Sequence, residues 1–386
     1  MSIPLDRLYN FVDSLCGGDI VIYRFFPYGS KKITDLSPVK NADPVCFNFM
    51  VCNDHEPLDY HAYSDPSVLD ELSANMPNFI ANQFDQKFMT ELKPMLLRKN
   101  LKLGMSDRGF SLNDILILHS EQKSSNLIAY ENSGFIGVYW WSHAVIARDW
   151  FRYAQHDPEL LEPSNITHDF LIYNRAWSGS REYRLKFAEL IVQNDLQTHC
   201  RMKFNPLDNG QHHSDHVYHN PGFLVTIALE NYFDLNTFDA AASADYTNTD
   251  YKSTNIEVVL ETLFDDQRWH LTEKILRPIA CGQPFIIAAT PGSLEYLRSY
   301  GFHTFSPLID ETYDTIQDPV ARLKAITAEM RRITDLAVSQ KQSLFAQLRT
   351  IAQHNRQWFF SPEFHHSIIR ELQYNLKQGR DHLASS

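Results

Sequence analysis

The chain has 386 residues, 44% of them hydrophobic and 13% aromatic, and a formal net charge of −12. That length exceeds one small core and predicts two domains, and the apolar fraction excludes a disordered chain. The acidity argues against a protein coated by nucleic acid, though it leaves room for a local basic groove.

Five cysteines, Cys16, Cys46, Cys52, Cys200 and Cys281, are odd in number and show no C-x-x-C spacing. They read as reduced, buried thiols of a cytoplasmic protein rather than as zinc ligands. The first residues lack an apolar core of signal-peptide length. No run approaches the roughly 20 apolar residues that span a bilayer. The expectation is a soluble chain with no membrane span.

Residues 4–15 carry apolar spacings of three and four and predict a short helix, ended by Gly17 and Gly18. Residues 19–26 predict a strand, followed by the loop PYGSKK, either a solvated turn or a substrate-lining loop. Residues 46–52 predict a second buried strand that runs into Asn53, Asp54, His55, Glu56 and Pro57. Polar groups at the carboxyl end of a buried strand are where open α/β sheets place their chemistry. Asp54, His55 and Glu56 are therefore the candidates for a general base, with helix capping as the other reading of the Asp. Residues 66–100 hold two helical patterns and no motif.

A strand over 112–118 is followed by His119 and Glu121, and one over 135–141 by His143. In an open parallel sheet these loops and NDHEP would face one crevice. A helix opens at about 146 and carries Arg148, Asp149 and Arg152. By spacing alone Asp149 would pair with Arg152 on the surface, three residues on.

Residues 156–167, with two prolines, read as the boundary between domains spanning 1–160 and 161–386. A strand over 169–173 leads into NRAWSGSREYRLKFAELI, with a helix from about Ser180. Arg175, Arg181 and Arg184 stand near that helix start, with Lys186 and Arg201 in the same basic cluster. Helix amides plus guanidinium groups suit a phosphate. For Arg181 and Arg184, pairing with Glu182 or Glu189 is the other reading. The loop lacks G-x-G-x-x-G, so NAD and FAD are not indicated.

Residues 205–220 hold four histidines and two aspartates and read as a surface loop, with a metal site as the minor alternative. Residues 232–252 read as a mobile polar loop. Residues 255–261 then predict a strand, Thr272 caps a helix that begins Glu273-Lys274 and ends at Gly282, and 284–289 predicts a buried strand. Pro291 opens another helix, ending near Gly301. Strand, helix, strand, helix is half of a doubly wound sheet, and Glu261, Glu273 and Lys274 lie at its ligand-binding edge. Residues 319–355, with a break, and 361–378 predict long amphipathic helices.

Glu261, then Thr272-Glu273-Lys274, then Pro278, Gly282 and Pro284 resemble the donor-site motif of fucosyltransferase-like GT-B glycosyltransferases. In that family the Glu and Lys of T-E-K hold the ribose and phosphates of the donor. YRFFPYGSKK, NDHEPLDY, LHSEQKS and YWWSHAVIARDWFRYA are similar to glycosyltransferases encoded by tailed phages, a resemblance that covers most of the chain. It implies two Rossmann-like domains facing a central cleft, with the C-terminal helices bracing the first.

The expected reaction is transfer of a sugar from a nucleoside diphosphate, UDP first, to a hydroxyl acceptor. Arg175, Arg181, Arg184, Glu261, Thr272, Glu273 and Lys274 would hold the donor. His119, Glu121, His143, Arg148 and Asp149 would face the acceptor. No D-x-D stands at a strand end, so transfer without a metal is expected. Relatives in phages suggest 5-hydroxymethylcytosine in double-stranded DNA, in the host cytoplasm, as the acceptor, with a surface or virion glycan as the alternative. A nucleotide-sugar-binding protein without turnover, or an epimerase of the same shape, would need no acceptor.

Overall fold

The computed structural model describes strands over 20–24 and 43–47, then residues 116–123, 136–160, 165–208, 210–233 and 245–385. The chain divides into two compact units, 1–142 with 367–386, and 143–366. Both hold a four-stranded parallel sheet, so the molecule is a mixed α/β protein.

The first unit contains β1 (Ile20–Arg24), β2 (Asp43–Phe47), β3 (Leu116–His119) and β4 (Ile136–Tyr139), in sheet order β1-β2-β3-β4. Val45 pairs with Ile22 on one side and Leu116 on the other. The second strand therefore begins three residues ahead of the apolar run 46–52. All four strands are parallel, so their carboxyl ends share one edge. Asp54, His55, Glu56, the PYGSKK loop and the helices expected over 4–15 and 66–100 lie outside the described residues.

The segment after β4 turns at once into α1 (Ser142–Trp150), four residues ahead of the expected helix start. Trp140 is fully buried and its indole N–H donates to the Ile368 carbonyl at 3.0 Å. Asn375 donates to the Tyr139 carbonyl at 2.6 Å. These bonds tie the last helix, α8 (Pro362–Ser385), to the end of β4.

The second unit holds β5 (His168–Asn174), α2 (Tyr183–Gln193), β6 (Cys200–Phe204), a small hairpin β7 (Leu207–Asp208) and β8 (Gln211–His212), and α3 (Asn248–Lys252). It continues through β9 (Thr254–Leu260), α4 (Glu273–Cys281), β10 (Phe285–Ala288), α5 (Ser293–Ser299), α6 (Pro319–Thr334) and α7 (Val338–Phe360). The sheet order is β10-β9-β5-β6. All seven residues of β9 are buried, as in a sheet covered on both faces.

Local chemistry explains the boundaries of α4. The Thr272 side chain accepts from the Lys274 amide at the start, and Gly282 takes φ +68° at the end. Asp318 caps α6 through the Ala321 amide, followed by Pro319 at the first helical position. Among the described residues no helix is long and apolar enough to cross a membrane.

The stretch around the expected domain boundary makes several contacts. Asp157 accepts from the Tyr246 hydroxyl at 3.0 Å, Glu159 pairs with Lys252 at 3.2 Å, and Arg356 donates to the Ala154 carbonyl. All these groups belong to the second unit.

Candidate functional site

The chain lays down β5 and β6, then crosses back over β5 to form β9 and β10. Strand order therefore reverses between β5 and β9, and a crevice opens beyond the carboxyl ends of strands at such a point. Arg175 follows β5 there, Glu261 and Thr262 follow β9, and the start of α4 faces them.

Glu261 is fully buried, with both carboxylate oxygens engaged. Oε1 accepts from the amides of Thr272 at 3.0 Å and Ile275 at 3.3 Å. Oε2 accepts from the Thr272 hydroxyl at 2.7 Å and the Thr262 amide at 3.1 Å. Burial pushes its carboxyl up, with Lys274 and Thr272 opposing. In this geometry Glu261 joins the end of β9 to the start of α4.

Lys274 sits above that joint. Its ammonium donates to Thr262 Oγ1 and Thr272 Oγ1, both at 3.2 Å, and to Glu273 Oε1 at 2.8 Å. Burial lowers its pKa most and Arg184 adds to that, against Glu273 and Glu261. Burial alone would raise Glu273, but Lys274 and then His143 outweigh it and hold it at about 2.

A cavity of about 60 Å³ lies beside this joint, lined by Arg175, Arg181, Arg184, Lys274 and Arg277 and by one carboxylate, Glu257. Arg184 donates to the carbonyls of Ala176, Leu260 and Glu261 at 2.7, 2.7 and 2.9 Å, so it binds the two strand ends together. Arg277 pairs with Glu257 at 2.6 Å, donates to the Tyr251 hydroxyl at 3.0 Å and lies 4.1 Å over the Tyr173 ring. The lining thus carries five cations against one anion. An excess of cations in one cavity has the sign that would suit an anion.

Comparison of the chain with family models, with curated proteins and with solved structures finds no match in any of the three.

The loop 175–182 is arranged differently from the expected helix-amide cradle. Gly179 takes φ +61°, a single 3-10 turn follows, and α2 begins only at Tyr183. The amides of Trp177 and Ser178 are taken by the Asp208 carboxylate, at 2.8 and 2.7 Å. A phosphate here would meet the side chains of Arg175 and Arg181, not those two amides. Two other members of the basic cluster face acids of their own: Lys186 pairs with Glu189, and Arg201 with Asp250 at 2.7 Å.

His143, expected on the acceptor side, lies against the donor residues. Its Nδ1 is 3.8 Å from Glu273 Oε2, and its ring meets His270 edge-on with centroids 5.1 Å apart. Burial lowers its pKa to about 4, partly opposed by Glu273. At neutral pH the ring is uncharged, so this approach is not an ion pair.

Arg148 donates both guanidinium ends to the carbonyls of Phe359 and Phe360, the latter at 2.7 Å, and so caps the end of α7. Asp149 makes the surface pair, 3.6 Å from Arg152. Glu121 is fully buried in the first unit, just past β3, and His119 is the last residue of β3.

The histidine-rich segment also differs from a plain surface loop. His216 and the amides of His219 and Asn220 converge on the buried Glu182. Among the described residues no group of three His, Cys, Asp or Glu side chains gathers to hold a metal. The site residues missed by sequence reasoning are Thr262, Arg277, Tyr173, Glu257, Asp208 and His270. Arg277 was findable, because it stands three residues after Lys274 on the same helix face.

Proposed function

We propose that the chain is a glycosyltransferase of GT-B type that takes its sugar from a nucleoside diphosphate, with UDP-sugars the first donors to test. The observation that carries this reading is the cluster of Arg175, Arg181, Arg184, Lys274 and Arg277 around one cavity, where the strand order of the second sheet reverses. A leaving nucleoside diphosphate gains negative charge as the glycosidic bond breaks. Fixed cations in a partly desolvated cleft stabilise that charge with little reorganisation. An anion would also reverse the penalty that lowers Lys274, so ligand and lysine support each other's charge.

With this donor set the transfer needs no metal, since guanidinium and ammonium groups do the work of a cation. Thr272, Glu273 and Glu261 form the shelf that fixes Lys274. Asp54, His55 or Glu56 is proposed as the base that deprotonates the acceptor hydroxyl. The proposed acceptor is 5-hydroxymethylcytosine in double-stranded DNA, on the resemblance to phage enzymes; a base in a duplex has to be flipped out to be reached.

The test is incubation with a panel of nucleotide sugars, with and without chelator, on hydroxymethylated DNA and on oligosaccharides. Chelator-insensitive transfer to the DNA is the expected result. Transfer to saccharides alone would reject the DNA acceptor and keep the transferase. Absence of transfer and of donor hydrolysis with every nucleotide sugar would reject the enzyme.

A further inference from the structure

The segment 205–220 and the loop 175–182 hold each other through two carboxylates. One oxygen of Asp208, Oδ2, accepts from the Trp177 amide at 2.8 Å, the Ser178 amide at 2.7 Å and the Ser178 hydroxyl at 2.6 Å. In return Glu182 accepts from the Asn220 amide at 2.6 Å and the His219 amide at 2.8 Å. The Trp177 indole donates to the Asn205 carbonyl at 3.0 Å, and the His216 ring meets that indole edge-on. Arg181 lies between these grips and Arg175 two residues ahead of the first, and both line the cavity.

We propose that Asp208 is a positioning residue for the anion site, fixing the backbone between Arg175 and Arg181 so that both guanidinium groups flank the cavity. This rests on the reading of that cavity as a donor site. Burial alone would raise the Asp208 carboxyl, but the Ser178 and Trp177 donors and Arg181 together hold it below the usual range. Asp208 is thus an anion beside a cationic pocket. By Coulomb's law alone its removal would strengthen anion binding. A positioning role gives the opposite sign, because an unfixed loop must be ordered before its arginines can bind.

The opposite signs make the test decisive. The probe is inorganic pyrophosphate, titrated calorimetrically into the full chain. Asp208→Ala removes all three bonds, whereas Asp208→Asn keeps the size and one uncharged acceptor oxygen. The expected result is binding at least about tenfold weaker for the Ala variant, the scale of a lost charge-assisted hydrogen-bond set, with the Asn variant between it and the native chain. Should the Ala variant fail to fold, the Asn variant alone decides. Binding as tight as native, or tighter, in a folded variant overturns the proposal. Lys274→Ala is run in parallel. If it loses pyrophosphate while both Asp208 variants keep it, the positioning role falls and the donor site stands. If the native chain takes no pyrophosphate, the two fall together.

Discussion

At the residue scale the clearest distinction is between side chains that face a ligand and side chains that hold those in place. Glu261 belongs to the second kind, since its four donors are three amides and one hydroxyl. Glu261→Gln would set an amide NH2 against backbone N–H groups that cannot turn away. We expect the variant to be less stable by about 1–3 kcal/mol in urea unfolding, the cost of leaving buried donors unsatisfied. Stability equal to native would contradict the joint described for this residue. His143 makes a pH-dependent prediction. Its folded pKa, about 4, lies below the ordinary value of 6.5. The unfolded chain therefore binds the extra proton first, and stability is lost as pH falls from about 6.5 to about 4. The loss amounts to about 3 kcal/mol for a shift of this size. Denaturant midpoints across that window should fall more steeply for the native chain than for His143→Gln. Parallel slopes would show that His143 titrates normally.

At the scale of elements, β9, α4 and β10 were legible because each carries its own punctuation. An apolar, β-branched run marks β9, Thr272 and Gly282 bracket α4, and Pro284 precedes β10. The bracket is testable. A Cβ on Gly282 would meet the Gln353 side chain at 2.8 Å, and the residue's φ of +68° is strained for any other type. Gly282→Ala should cost about 1–2 kcal/mol, read as a lowered thermal midpoint. No loss would mean the end of α4 can relax away from α7. Other elements were hidden for physical reasons. The strand β6, CRMKF, is half-exposed at the sheet edge, and its Arg and Lys pair with the distant Asp250, so no alternation marks it. The register of β2 is set by its neighbours on both sides, which its own apolar run does not reveal. The partners of loop 175–182 lie about thirty residues further on, beyond the reach of local spacing. Arg175, Arg181 and Lys274 were grouped from the sequence as donor residues and all three line one cavity, whereas nothing in the local spacing marked Arg148 as the cap of a helix.

At the scale of the whole molecule, 35 basic residues face 47 acidic ones, yet five of the basic side chains line a single cavity. Net charge thus says little about the ligand; the local excess of cations where the strand order reverses says more. This cavity is proposed to grip a nucleoside diphosphate. The most direct measurement of that grip is calorimetric titration of a UDP-sugar into the native chain and into the folded variants Lys274→Ala and Arg175→Ala. The account predicts saturable binding by the native chain and a weakening of about tenfold to a hundredfold in each variant, as for a lost charged hydrogen-bond donor. Binding unchanged in both variants, with the native chain saturating normally, would contradict it.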